Sequence, residues 1–125
     1  MKHFYRCNLC GNLVGLIKKG GGTLVCCGQN MQGLVPGESD ASVEKHMPVV
    51  TVTDNKVSVQ VGATMHPMTP EHFIEFIYIE TTKGGKRAAL KPTDSPTACF
   101  CLCKDEKLLG VYAYCNLHSL FMKLS

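Results

Sequence analysis

The chain contains no tryptophan, only 7% aromatic and 18% charged residues, and nothing near the unbroken apolar run of about 18 residues that a membrane-crossing helix needs. It also lacks an arginine-rich stretch or a basic run interleaved with aromatics. With a formal net charge of only +3, this excludes the electrostatic footprint of a nucleic-acid binder. Met1 to Cys7 shows no apolar segment leading to a small-residue cleavage site, so no secretory leader is expected. Apolar residues never recur over a sustained stretch at i, i+3, i+4 and i+7, so no long amphipathic helix is expected either. No internal repeat or low-complexity segment interrupts the chain.

Cysteine, by contrast, is abundant, at eight in 125 residues. An even count suits a disulfide framework in a secreted protein. Without a leader the expected setting is soluble and cytoplasmic, where thiols stay reduced and closely spaced cysteines act as metal ligands.

The composition changes near residue 36. The first segment carries four cysteines and Gly20-Gly21-Gly22 but few large apolar residues. So short a unit cannot bury enough surface to fold without disulfides, a metal or a partner. Pro36-Gly37-Glu38-Ser39-Asp40 reads as a turn-rich linker. We therefore divide the chain into a metal-binding domain, residues 1–36, and a main domain, residues 37–125. In the second part a period of two takes over. Val50 and Val52 alternate with threonines before Asp54-Asn55, and Val57, Val59 and Val61 alternate with polar residues after it, which predicts a hairpin. Phe73 to Glu80 predicts a strand, Lys83-Gly84-Gly85-Lys86 a turn into Arg87 to Leu90, and Ala98 to Lys104 and Leu108 to Tyr114 two further strands. Short strands at this spacing point to an all-β sandwich or barrel.

Cys7-Asn8-Leu9-Cys10 places two sulfurs on one tight loop, and Cys26-Cys27 returns with two more. Four thiolates suit zinc or a single iron, and spacing alone leaves zinc, iron and disulfides open. Neighbouring side chains of an extended chain point to opposite faces, so Cys26 and Cys27 reach one ion only if the backbone bends between them. Gly20 to Gly22 and Gly28 supply residues that tolerate positive φ.

A second constellation lies further on. His46, then His66 and His72 on a loop stiffened by Pro67 and Pro70, then Cys115 with His118, supply four imidazoles and one thiolate. Such donors suit a transition metal, and five of them leave an octahedral ion one position for a substrate. The prolines reduce the entropy lost when that loop is ordered. The amides of Asn116, Leu117 or His118 are candidate donors to the sulfur. Glu44 and Lys45 read ordinarily as a surface charge pair; if His46 binds the ion, however, Lys45 would bring a positive charge beside that position and attract a small anion, while Glu44 would ligate there or help deliver protons. His3 has no such setting and is expected to be exposed. Cys99, Cys101 and Cys103 alternate along a predicted strand, and packing as small apolar residues is expected of them ahead of a third metal or a redox pair.

Together, Cys7-x-x-Cys10, Cys26-Cys27, Glu44-Lys45-His46-x-Pro48, His66-Pro67-Met68, His72 and Cys115-Asn116-Leu117-His118 resemble the desulfoferrodoxin family, the two-iron superoxide reductases. The motifs run in order through nearly the whole chain. The resemblance implies a desulforedoxin-like N-terminal domain with iron on Cys7, Cys10, Cys26 and Cys27. It also implies an immunoglobulin-like β-sandwich with iron on His46, His66, His72 and His118 in a plane and Cys115 on the axis. Further implications are a homodimer, reduction of superoxide to hydrogen peroxide, re-reduction by a rubredoxin-type donor, attraction of superoxide by Lys45 and a resting-state role for Glu44 at the open position. An electron carrier without superoxide turnover and a zinc-folded binding module remain as alternatives. Ser119 and Phe121 depart from the glycine and tryptophan expected after the last histidine, which bears on packing more than on ligation.

Overall fold

The computed structural model describes residues 3–37 and 43–125. The linker residues Glu38, Ser39 and Asp40 lie outside them. The chain forms two compact units, Met1–Val35 and Pro36–Ser125.

In the first unit β1 (His3–Arg6) pairs antiparallel with β2 (Leu13–Leu16). The short β3 (Val25–Cys26) and β4 (Gln29–Asn30) form a hairpin, and β5 (Gln32–Gly33) adds to the other side of β1. Among the described residues of this unit, Phe4 and Cys7 are the buried apolar side chains. So small an interior cannot by itself offset the entropy of ordering the chain.

The second unit opens with a single helical turn, α1 (Val43–His46), too short to have left a periodic signal in the sequence. Next come β6 (Pro48–Thr53) and β7 (Lys56–Val61), whose valine alternation and two-residue Asp54-Asn55 connection produce the expected hairpin, with Asp54 at a φ of 54°. β8 (Ile74–Thr81), β9 (Gly84–Ala89), β10 (Thr97–Cys101), β11 (Leu108–Cys115) and β12 (Ser119–Leu124) complete an all-β unit. The strands form two antiparallel sheets, ordered β10-β7-β6 and β12-β11-β8-β9. Val57, Val59, Val61 and Phe100 of the first meet Ile77, Ile79, Val111 and Ala113 of the second in one buried cluster, the interior of a β-sandwich. Each such valine, isoleucine or phenylalanine contributes about 1.5–3 kcal/mol on burial.

Three expectations need correction. Gly84 and Gly85 belong to β9 and not to the turn, which contracts to Thr82-Lys83. The Tyr78 ring lies where a Cβ on Gly85 would fall, so only glycine fits that strand position. The strand expected over Ala98 to Lys104 stops at Cys101, because the chain turns where the amide of Glu106 donates to the carbonyl of Cys103. Nor do Cys99, Cys101 and Cys103 pack as small apolar residues; all three are exposed. Phe100 takes the inward position on β10, and the pleat then sends Cys99 and Cys101 outward. His3 is exposed, as expected.

Candidate metal centres

In the first unit the four sulfurs of Cys7, Cys10, Cys26 and Cys27 lie within 4.8 Å of one another. The required bend is supplied by Cys27 itself, at a φ of 54°, followed by Gly28 at 72°. Two successive positive φ values are those of the tight turn that joins β3 to β4, so the hairpin turn delivers both adjacent sulfurs to one side. All eight cysteines of the chain are free, and Cys10 Sγ stands 3.6 Å from Cys26 Sγ, far beyond a disulfide bond. Backbone amides point at the sulfurs: Cys10 N donates to Cys7 Sγ at 3.4 Å and Asn12 N to Cys10 Sγ at 3.4 Å. The amides of Cys10 and Leu9 hold the Cys7 thiol at about 6. Crowding against Cys10 and Cys7 pushes Cys27 up to about 12. Such a cluster resists holding four negative charges unless a cation sits among them, which is the donor chemistry of a tetrahedral thiolate metal site.

The second unit gathers His46 from the end of α1, His66 and His72 from the loop between β7 and β8, and Cys115 from the end of β11; their ligand atoms also lie within 4.8 Å of one another. Gly62 positions the first two segments. At a φ of +88° its Cα lies so close to the carbonyls of Thr64 and Lys45 that a Cβ would fall 2.2 Å and 2.5 Å from them, and its amide bonds Met47 O at 3.0 Å. Asn116 ties the others together. Its side chain accepts from Phe73 N at 3.0 Å and donates to Glu71 O at 2.9 Å, gripping His72 from both sides. The Asn116 amide is spent on Phe73 O, leaving Leu117 and His118 as the amides that favour the charged Cys115 sulfur. A register shift between Tyr114 and Cys115 against β8 sets the sulfur at the sheet end.

The imidazoles are arranged for a cation. His46 and His66 are buried, with ring centroids 4.6 Å apart, and His66 and His72 are likewise 4.6 Å apart. His66 Nδ1 lies 2.7 Å from the carbonyl of Pro67. A carbonyl only accepts, so Nδ1 carries the hydrogen and Nε2 keeps its lone pair. The Nε2 atoms of His66 and His72 are buried with no hydrogen-bond partner, each a loss of about 1–3 kcal/mol unless something binds there. Burial holds His66 at about 4 and lowers His72, where His118 and Lys45 add to the effect. Buried imidazoles with unpartnered Nε2 atoms, beside a sulfur, fit iron.

His118 stands apart from this tight set. It is exposed, its ring centroid 4.6 Å from His46 and 5.2 Å from His72, with Nδ1 3.7 Å from Cys115 Sγ. Lys45 is exposed and its charge reaches His72. Glu44 lies in α1, but its side chain is outside the described residues.

Two neighbours were not anticipated as parts of the site. Phe121 stacks on His46 with centroids 4.6 Å apart and planes at 17°. Glu75, half-buried beside the register shift, has its carboxyl pushed up by burial, and its charge raises the Cys115 thiol in addition to the larger effect of burial. A carboxylate amid the alternating apolar run Ile74 to Ile79 was the available signal for Glu75.

Fold and donors define a class: a metalloprotein with a four-thiolate knuckle in one unit and a β-sandwich in the other, one end of which gathers histidines around a cysteine, with donors for one iron in each. The desulfoferrodoxin N-terminal domain model matches residues 1–34 and the desulfoferrodoxin model residues 38–123. The chain is 44% identical over 117 residues to the desulfoferrodoxin of Syntrophotalea carbinolica, covering 94% of this chain and 91% of that one. Its first unit is similar to the desulforedoxin of Megalodesulfovibrio gigas, 59% identical over 27 residues that make up 22% of this chain and 73% of the relative. The crystal structure of the superoxide reductase from Treponema pallidum superposes with a TM-score of 0.83 at 33% identity, covering 98% of both chains. The chain belongs to the desulfoferrodoxin family.

Proposed function

We propose that this protein is a superoxide reductase, that His46, His66, His72, Cys115 and His118 hold the catalytic iron, and that Cys7, Cys10, Cys26 and Cys27 hold an accessory iron. The observation that carries the reading is the convergence of three histidines and Cys115 within 4.8 Å, with buried, partnerless Nε2 atoms on His66 and His72, in a chain of this family. Iron bound there supplies the one-electron chemistry, passing from ferrous to ferric as superoxide and two protons become hydrogen peroxide.

The side chains divide the remaining work. Lys45, exposed beside the histidines, attracts the superoxide anion and raises its encounter rate. Glu44 is assigned to the open position in the resting state and to proton delivery, the second proton coming from water. Cys115 acts as a charged sulfur donor that favours release of the protonated product. The amides of Leu117 and His118 temper that donation, because a hydrogen bond to the sulfur withdraws charge from it. Pro67 fixes the tautomer of His66 through its carbonyl. We carry over from the family resemblance a rubredoxin-type electron donor and a homodimer, and we assign the protein to the cytoplasm, where eight free thiols would stay reduced. The two units are proposed to act as separate domains, residues 1–36 and 37–125.

Metal analysis of protein purified without added metal should give two irons per chain and a visible sulfur-to-iron band in the oxidised state; a colourless zinc-only protein would end the redox reading. Stopped-flow mixing of the ferrous protein with superoxide should oxidise it rapidly, with peroxide formed and no dioxygen evolved. Iron that stays ferrous under those conditions would make the protein an electron carrier instead. Cys115→Ser should abolish the sulfur-to-iron band of the histidine site and leave those of the four-thiolate site, and a spectrum identical to the parent's would place the sulfur ligand elsewhere.

A further inference from the structure

Cys99, Cys101 and Cys103 lie outside both donor sets, and all three are exposed free thiols. Cys99 and Cys101 project from the outer face of β10, the free edge of its sheet, because Phe100 between them is buried. We propose that Cys99 and Cys101 form a binding site for a soft monovalent cation, copper(I), held linearly between two sulfurs.

Geometry selects this occupant over a disulfide and over a tetrahedral ion. Two residues along a strand advance about 6.6 Å, and their Cβ atoms are separated by about the same distance. A disulfide needs Cβ atoms about 3.5–4.5 Å apart, so the backbone would have to contract. This backbone is held. Every residue from Thr97 to Cys101 is in register with β7, Lys86 Nζ donates to the carbonyl of Cys101, and Leu102 N donates to Asn55 O at 2.7 Å. A linear ion with two metal–sulfur bonds of about 2.2–2.3 Å needs sulfurs about 4.5 Å apart, which two side chains leaning together reach without moving the strand. A tetrahedral ion would require a closer approach and two more ligands, whereas soft thiolates with few further donors suit copper(I).

The neighbours suit the charge of the product. Two thiols release two protons on binding one copper(I), so the bis-thiolate complex carries one negative charge. Lys56 faces Cys101 in the strand register, on the same face of the sheet, where its ammonium offsets that charge. Ser58 faces Cys99, its Oγ 3.7 Å from the sulfur, and gives the thiolate a hydroxyl donor. Cys103 is beyond the end of β10, held by its amide to Glu106 Oε1 at 2.9 Å. It is not needed for two-coordinate binding.

The test is anaerobic titration of copper(I) into the iron-loaded full chain against a chromophoric copper(I) chelator. One equivalent should bind with the visible iron bands unchanged, and X-ray absorption at the copper edge should show two sulfur neighbours. Cys99→Ser and Cys101→Ser should each weaken binding at least about a hundredfold, since each leaves a single sulfur where two acted together. Cys103→Ser should leave it within about threefold, a change too small to be the loss of a coordinating sulfur. The proposal is overturned if the Cys99→Ser/Cys101→Ser double variant binds copper(I) as tightly as the parent, or if binding displaces iron. It is equally overturned if mild oxidation of the folded protein joins Cys99 to Cys101, because that bond requires the contraction excluded above.

Discussion

Gly37→Ala should damage a centre to which Gly37 contributes no ligand. The amide of Gly37 bonds the carbonyl of Leu120 at 2.7 Å, which fixes its Cα against the next residue. A Cβ there would stand 2.9 Å from Cε1 and 3.3 Å from Cδ1 and Cζ of Phe121, against about 3.5–4.0 Å for a comfortable carbon contact. The ring has little room to retreat, because its other side stacks on His46 with centroids 4.6 Å apart and Phe121 is only 2% exposed. Overpacking of this kind costs about 1–3 kcal/mol, or about 4–8 °C in Tm per kcal/mol for a domain of this size. Part of the displacement should pass to His46 and shift the visible band of the iron-loaded protein. Urea unfolding followed by near-ultraviolet circular dichroism reports on the larger unit, which holds Tyr78, Tyr112 and Tyr114. Phe121→Leu shortens the obstructing side chain, so the double variant should be more stable than the sum of the two single losses predicts, by at least about 1 kcal/mol. Additivity within about 0.5 kcal/mol, or a Gly37→Ala protein with unchanged stability and spectrum, would refute the steric chain from Gly37 through Phe121 to His46.

Ser119 occupies a φ of 68°, where a side chain costs about 1–2 kcal/mol; Ser119→Gly removes that strain but loosens the unfolded chain, so a gain of up to about 1 kcal/mol is expected in the urea midpoint, and a loss would disprove the strain. Lys45→Ile should slow oxidation by superoxide about tenfold at low salt and flatten its ionic-strength dependence, and an unchanged slope in stopped flow would remove Lys45 from steering. The Thr81 hydroxyl, the Cys103 amide and Lys86 hold the carboxyl of Glu106 at about 2, below its ordinary 4.5. The folded state thus favours the ionised form, and its stabilisation is complete above about pH 4.5 and drains away between about 4.5 and 2. Glu106→Gln should flatten the stability profile in that window, and an identical acid limb in parent and variant would show that the carboxylate contributes nothing there.

In the second unit, strands were legible where one face alone is buried, whereas the strands of the first unit left no such signal. Val57, Val59 and Val61 alternate with polar residues because the first sheet turns its other side to solvent, and Asp54-Asn55 marks the reversal. β12 gave no such signal. Its Leu120 and Phe121 are adjacent and both buried, so the period of two vanished where both faces were covered. Ser119, in a positive φ beside the Cys115–His118 turn, marks where the chain reverses into β12, but the serine conceals it. The row Cys99, Cys101, Cys103 showed its alternation but not its direction. Which face turns inward was decided by Phe100, a larger apolar residue than its neighbours.

The donors were legible because metal chemistry restricts residue types severely, whereas the parts that aim them are ordinary residues. His72 is oriented by Asn116, which grips Phe73 and Glu71 from more than forty positions away. His46 is oriented by a phenylalanine stacked on its ring and by a glycine that lets the Lys45 carbonyl approach. Each of these contacts exists only once β8, β11 and β12 are in register, and the decisive irregularity, the shift between Tyr114 and Cys115, is a property of two strands together. A one-residue slip of β11 would carry the Cys115 sulfur to the opposite face, away from the histidines, without altering a single donor. The apolar contacts of Ile77, Ile79, Val111 and Ala113 therefore do chemical as well as structural work: by making that slip costly they hold one sulfur and three imidazoles at a common point.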